Sequence, residues 1–292
     1  MQPQVVIFGE VLMDIFPDGN EVLGGAPFNV AWHLQAFGLQ PKFVSRVGND
    51  DAGRKILGAM REWGMDVADV QIDADLPTGR VEVTLHGSEP SYEIIADCAY
   101  DAIDLPAHVT EAGLLYHGTL AVREPRSAAA LEALIAAASP QRVLMDVNLR
   151  APWYKADAVT AAMRRADWVK LNAAELSELV GAEDSIEAVR NQFGLQGLIV
   201  THGSAGADVC RVDEPPLRDR PPVSGTVVDT VGAGDAFTSV ILLGLALGWP
   251  SAVTLQRALA FGSAIVGQRG AIVRDIDFYR RHAQSWSLPA LD

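Results

Sequence analysis

Val5-Val6-Ile7-Phe8-Gly9 places three β-branched residues and a phenylalanine in a row and stops them with a glycine. An apolar run this short, with no polar alternation, reads as a strand buried on both faces, as in parallel sheets covered by helices. Runs of the same type recur at residues 42–47, 114–116, 143–146, 168–171 and 198–201. Between them apolar residues recur with helical spacing over 27–37, 52–63, 126–138, 156–165, 174–180 and 186–193. Strand and helix therefore alternate, which predicts an α/β fold with a mostly parallel central sheet in a three-layer sandwich.

One region departs from that rhythm. Arg80-Val81-Glu82-Val83-Thr84-Leu85 and Ser91-Tyr92-Glu93-Ile94-Ile95 flank His86-Gly87-Ser88-Glu89-Pro90. This is the pattern of a hairpin with one polar face, which does not belong in a parallel sheet. With residues 20–23 it is expected to form a small β-sheet lid, spanning about 14–25 and 77–97, over the strand ends where open α/β sheets bind ligands. Pro215-Pro216 and Pro221-Pro222 mark a stiff surface connection rather than a boundary, so 1–292 is read as a single α/β domain.

Composition narrows the chemistry. Among 292 residues, 23 Lys+Arg stand against 37 Asp+Glu, a net charge of -14. That field argues against nucleic acid or an anionic membrane surface as the main partner. A polyanionic ligand would have to be held by backbone amides, a few local cations or a metal ion. Cys98 and Cys210 are too few for a disulfide framework, residues 1–10 lack the pattern of a secretion signal, and the longest apolar stretch, 240–247, is too short to cross a bilayer. A reducing cytoplasm is the expected home. The six histidines, at 33, 86, 108, 117, 202 and 282, show no metal spacing.

Asp229-Thr230-Val231-Gly232-Ala233-Gly234-Asp235-Ala236-Phe237 carries the chemical signal: a glycine-rich turn running into the apolar helix 236–247. First-turn amides lack intrahelical acceptors and sit at the positive end of the helix dipole, so the turn suits a phosphoryl group. A lone Asp235 in such a place would simply cap the helix. Other phosphate motifs fail. The chain has no Gly-Lys pair and hence no Walker A loop, and Gly232-Ala233-Gly234 lacks the third glycine and the first-strand position of a dinucleotide fingerprint.

Residues 229–237 resemble the C-terminal signature of the ribokinase-like, or PfkB, carbohydrate kinases. Gly24-Gly25-Ala26-Pro27-Phe28-Asn29-Val30-Ala31 is similar to that family's N-terminal Gly-Gly motif. Gly9-Glu10 with Asp14, Pro77-Thr78-Gly79, Asp146-Val147-Asn148-Leu149-Arg150, Asn172-Ala173-Ala174-Glu175 and Thr201-His202-Gly203-Ser204-Ala205-Gly206 follow in family order, so the likeness covers nearly the whole chain. It implies a ribokinase-like fold, ATP and Mg2+ as cosubstrate and metal, and Asp235 as catalytic base, with the amides of Ala233, Gly234 and Asp235 stabilising the phosphoryl group on the turn that Gly232 opens.

The same likeness implies that Asp14, Gly24, Gly25 and Asn29 bind a sugar, with Tyr92 contributed by the lid and His117 and Thr119 near the pocket. Read alone, Asp14 is equally a solvated loop residue, and Gly24-Gly25 a plain turn. Asn172 and Glu175, three apart, read as a helix cap or as holders of water-bound magnesium and phosphates. Thr201, Gly203, Ser204 and Gly206 look like the nucleotide loop. Arg150 is either a fork to the phosphates or sugar, or a surface ion-pair partner. Ser263 stands where an asparagine often meets adenine in this family, within the shortened segment 261–271. Asp229 and the carbonyl of Val231 are the expected parts of a monovalent-cation site, K+ in particular. A second copy of the chain, paired through the lid, is the one protein partner considered.

Within the family the motifs look most like bacterial fructokinases, implying D-fructose phosphorylated at its 6-hydroxyl. Ribose, 2-keto-3-deoxygluconate, an inositol or a nucleoside remain open as acceptors, as does a sugar-sensing protein of the same fold without catalysis.

Overall fold

The computed structural model describes residues 3–86, 89–181, 185–222 and 227–289. The first strand, β1 (Val5–Phe8), runs into β2 (Leu12–Ile15), β3 (Glu21–Gly24) and helix α1 (Ala26–Ala36). β4 (Lys42–Gly48), α2 (Asp51–Glu62), β5 (Val70–Asp73) and the hairpin β6 (Gly79–His86) with β7 (Glu89–Ile94) follow. The alternating part continues through β8 (Leu114–His117), α3 (Pro125–Ala138), β9 (Arg142–Asp146), α4 (Ala156–Met163), β10 (Trp168–Asn172), α5 (Ala173–Leu179), α6 (Ile186–Phe193) and β11 (Gly197–Thr201). β12 (Ala207–Arg211) and β13 (Leu217–Asp219) precede α7 (Ala233–Leu247), α8 (Ser251–Val266) and α9 (Ile276–Ser285).

Among the described residues the main sheet has the order β13-β12-β11-β10-β9-β8-β1-β4-β5, parallel from β5 to β11 and antiparallel at β12 and β13. The period of two along each strand sorts its side chains between two helical layers. Val5 and Ile7 join the core made with α1, α2, α7, α8 and α9, whereas Val6 and Phe8 join the core made with α3, α4, α5 and α6. The three-layer α/β expectation is thus met.

The hairpin also forms where its sequence placed it, with residues 87 and 88 outside the described set. It belongs to a second sheet of order β3-β2-β6-β7. Sequence reading found β3 but not β2, whose Asp14 lies opposite Val22 of β3 and Val81 of β6. It also passed over β5, β12, β13, α8 and α9. β5 reads Val-Gln-Ile-Asp and stands at the sheet edge with Ile72 59% exposed, so neither a buried run nor a clean alternation announces it.

Both roots of the small sheet are fastened to the main body. At the entry, the Thr78 hydroxyl donates to Asp50 Oδ1 (2.6 Å), the Thr78 amide donates to Asp50 Oδ2 (2.8 Å), and the Gly48 amide donates to Thr78 Oγ1 (2.9 Å). Gly79 then lies flat on the ring of Tyr100, with no room for a Cβ. At the exit, Arg123 makes a buried bidentate pair with Asp101 (2.7 and 2.8 Å) and donates to the Ile95 carbonyl (2.9 Å). Gly79→Ala must push Tyr100 aside, and overpacking of this kind costs about 1–3 kcal/mol. Urea unfolding should show that loss, and unchanged stability would mean that the root is not packed as described.

Candidate active site

Because β1, β8, β9, β10 and β11 run parallel, their C-terminal ends share one edge of the sheet, where open α/β folds collect ligand-binding groups. At that edge α7 starts at Ala233, earlier than the apolar pattern suggested, so Asp235 sits inside the first turn. Its N-cap, Gly232, has φ 78°, a left-handed conformation, and packs on Ala271 where a side chain would not fit. No side chain caps this helix. The amides of Gly234 and Asp235 have no acceptor among the described residues, and the Ala233 amide has only a 3.4 Å contact with the Thr230 carbonyl. Two donors at the positive end of a 15-residue helix, with a third only weakly engaged, thus remain available.

Asn29 reaches this turn from α1. Its own helix begins with Gly25 at φ 108°, pressed so close to the strand connection that a Cβ would lie 2.6 Å from the Glu10 carbonyl. Pro27 in the first turn and the Asn29 amide bonded to the Gly25 carbonyl (2.8 Å) complete the start. Asn29 Nδ2 donates to Asp235 Oδ2 at 2.8 Å, across 206 residues of sequence. Burial pushes the Asp235 carboxyl up to about 6; the Asn29 bond opposes this, the charge of Asp146 adds to it, and Lys170 and Arg150 pull back. Asp14 also rises to about 6, from burial alone, with its Oδ2 lodged 3.0 Å from where a Gly24 side chain would be.

Beneath the turn lies a polar group that sequence reading did not assign to the site. Lys170 donates to both oxygens of Asp146 (2.9 and 3.0 Å), and the Thr238 hydroxyl lies 2.9 Å from both Asp146 Oδ2 and the Gly234 carbonyl. The signal was present: Asp146 and Lys170 are charges inside otherwise apolar strand runs, and a charge is buried in such a place only when paired. Glu10, 3% exposed, was likewise quoted only as part of a motif.

The remaining expected residues differ in what they are bonded to. Asn172 and Glu175 form a reciprocal capping box: Asn172 Oδ1 accepts from the amides of Ala174 and Glu175, and Glu175 Oε2 accepts from the Asn172 amide. Glu175 Oε1 also accepts from the Leu149 amide (3.0 Å), which holds the loop carrying Arg150. Arg150 itself is exposed, and among the described residues its side chain is bonded to the Leu149 carbonyl alone. Asp229 ties two loops, accepting from the amides of Val231 and Gly270, each at 3.0 Å.

Thr201, Gly203, Ser204 and Gly206 form a tight turn after β11, closed by the His202 amide on the Gly206 carbonyl (2.8 Å). Ser263, inside α8, donates to the Pro222 carbonyl (3.3 Å). Tyr92 is 52% exposed, and its hydroxyl is raised by partial burial and by the charges of Asp14 and Asp229. His117 and Thr119 turn to backbone carbonyls of Gly118 and Asn148.

A family model described as pfkB family carbohydrate kinase matches residues 3–277. Fructokinase from Klebsiella pneumoniae is 32% identical over 269 residues, 84% of this chain and 85% of that protein. Among solved structures, aminoimidazole riboside kinase from Salmonella enterica, complexed with aminoimidazole riboside and an ATP analog, has a TM-score of 0.81 and 26% identity. It covers 96% of this chain and 99% of its own. Fructokinase from Vibrio cholerae O395 in apo form gives 0.77 and 26%, covering 90% and 97%.

The raised carboxyls have a measurable consequence. A folded-state pKa above the unfolded value means that the folded protein holds a proton the unfolded chain has lost, so the contribution to stability falls as pH rises from about 4 to about 6. Asp14→Asn removes that loss. Its melting temperature should exceed the wild type's by several degrees at pH 7.5, since a carboxyl raised from 3.8 to about 6 corresponds to about 3 kcal/mol, and match it at pH 4. An equal gap at both pH values would refute the assignment of the shift to Asp14.

Proposed function

The chain belongs to the pfkB family of carbohydrate kinases, and from that we propose that it transfers the γ-phosphoryl group of ATP to the 6-hydroxyl of D-fructose, with Asp235 as base. The observation that supports this most is the pairing of a partly buried carboxyl, held through one oxygen by Asn29, with first-turn amides that have no acceptor among the described residues.

Asn29 engages Asp235 Oδ2 and so directs Oδ1 to the incoming hydroxyl. In this reading Asp235 accepts the hydroxyl proton as the oxygen attacks phosphorus, and the amides of Ala233, Gly234 and Asp235 stabilise charge on the transferring group. Lys170, held by Asp146 just behind Gly234, adds a positive charge to the same spot. Asp14, with Gly24 and Gly25 leaving room beside it, holds other sugar hydroxyls, and Arg150 neutralises phosphate charge from the rim.

The residues fit a nucleotide phosphate, since unpaired amides at a glycine turn are the donors such a group needs. Among the described residues no group of three or more His, Cys, Asp or Glu could hold a metal by itself. That fits magnesium carried on the phosphates, with Glu175 as a water-mediated contact that keeps lone pairs beyond its two backbone bonds. Magnesium bound there supplies charge neutralisation for the phosphates.

On the same reading Thr201, Gly203, Ser204 and Gly206 border the nucleotide, Ser263 its base, and Asp229 with the Val231 carbonyl a potassium ion. The small sheet acts as a lid carrying Tyr92. Fructose is favoured by the fructokinase names of the curated relatives and by the Gly-Gly-Ala-Pro-x-Asn and Asp-x-Asn-x-Arg motifs. The likeness to a riboside kinase makes a nucleoside the second candidate.

Asp235→Asn should lower kcat by about two to four orders of magnitude, the usual worth of a positioned base, while sugar affinity stays near wild type. Near-normal turnover would exclude the base assignment. In the wild type kcat/KM should fall with acidification below pH about 6, because the protonated carboxyl cannot accept a proton. Comparing kcat/KM for fructose, ribose, 2-keto-3-deoxygluconate and adenosine with magnesium-ATP tests the acceptor. A tenfold preference for another compound would replace fructose and leave the kinase standing.

A further inference from the structure

Glu10 is the buried carboxyl that the reaction above leaves without a task. It follows Gly9 at the C-terminal end of β1, in the middle of the edge that collects the site residues. It is 3% exposed, yet its Oε2 has no hydrogen-bond partner among the described residues. A second buried acceptor in this corner, Asn29 Oδ1, is also unpartnered, although Asn29 Nδ2 is engaged by Asp235. The Gly24-Gly25 turn brings α1 against the Glu10 carbonyl, so Glu10, Asn29 and the glycine turn form one wall. Asp235, Arg150, Tyr100 and Tyr116 are the ionisable groups that face it from α7, the loop after β9, the turn before α3 and β8.

Buried polar atoms in folded proteins are almost always paired, because leaving one without a partner costs the full desolvation of that group. A sugar brings several hydroxyls, of which the transfer consumes one. We propose that Glu10 is a substrate-positioning residue whose Oε2 holds a second hydroxyl of the acceptor sugar, beside the one that Asp235 activates. This rests on the sugar-kinase reading but not on the identity of the sugar.

Glu10 does this as the neutral acid. Burial pushes its carboxyl up to about 7, and the negative charge of Asp235 pushes the same way, against bonds from backbone amides and the charge of Arg150. Below that pH the group donates its O–H to a sugar oxygen. Above it the donor is lost and a second negative charge stands near Asp235 and the arriving phosphoryl group. Two carboxyls in one site thus take different roles, one ionised to accept a proton and one protonated to position the substrate.

The test is sugar affinity by calorimetry without nucleotide, together with sugar KM, at pH 6 and pH 8.5, using the best acceptor from the panel above. The wild type should bind about tenfold more weakly at pH 8.5, the order of one hydrogen bond to a buried group. Glu10→Ala should weaken binding by a similar factor at pH 6 and raise KM more than it lowers kcat. Glu10→Gln, which keeps a donor of the same shape and cannot ionise, should recover affinity relative to the alanine variant and lose the pH dependence. Wild-type affinity in Glu10→Ala, or the wild-type pH dependence persisting in Glu10→Gln, would overturn the proposal. Asp235→Asn, assayed in parallel, keeps the two ideas apart: its loss of turnover upholds the base even where the Glu10 variants refute the second contact.

Discussion

The hydrogen bond from Asn29 to Asp235 joins the first helix of the fold to the seventh, and the site depends on it. A carboxyl at a helix N-terminus would ordinarily turn back and cap its own turn. Here Asn29 takes one oxygen, Gly232 in a left-handed conformation starts the helix without a side-chain cap, and the first amides stay unspent. Burial that lifts Asp235 to about 6 still leaves it ionised at neutral pH. A group with that pKa is more basic than an exposed aspartate.

An acidic chain that handles a polyanion needs local correction of its field. The molecule makes it with dipoles and one buried cation rather than with a basic surface. Lys170 sits behind Gly234, held by Asp146, while Thr238 bridges Asp146 to the helix that carries the turn. Glu175 and Asp229 are each bonded to two backbone amides, which spreads their charge over the loops they tie together. Desolvation raises Glu175, Asp14 and Glu10 alike.

The small sheet is attached at both roots by side chains that belong to the main body. Asp50 bonds both the amide and the hydroxyl of Thr78, and Arg123 holds Asp101 and the Ile95 carbonyl while its guanidinium lies 4.4 Å over the Trp153 ring. Trp153 lies three residues after Arg150, so the exit root and the rim loop share one buried cation.

Much of this could be read in the sequence, and the reason is local. Apolar runs of three to six residues, helical spacing between them and a glycine turn before an apolar helix are properties of neighbouring residues, so the layered fold and the glycine turn were legible. The Gly24-Gly25 turn and Asp235 were legible as motifs. The Asn172 and Glu175 spacing was ambiguous between cap and ligand, and the structure shows the cap bonds fully made. Strands β2 and β5 were not legible, because their formation depends on partners, β3 and β6 for one and β4 for the other, that supply the pairing their own residues do not advertise. Which charges share a buried space was decided only by tertiary structure. Lys170 meets Asp146 and Asp235 meets Asn29 across gaps of 24 and 206 residues. The pKa of each carboxyl follows from that burial and pairing, so the sequence by itself determined which groups were available for the chemistry, and packing determined which of them are charged.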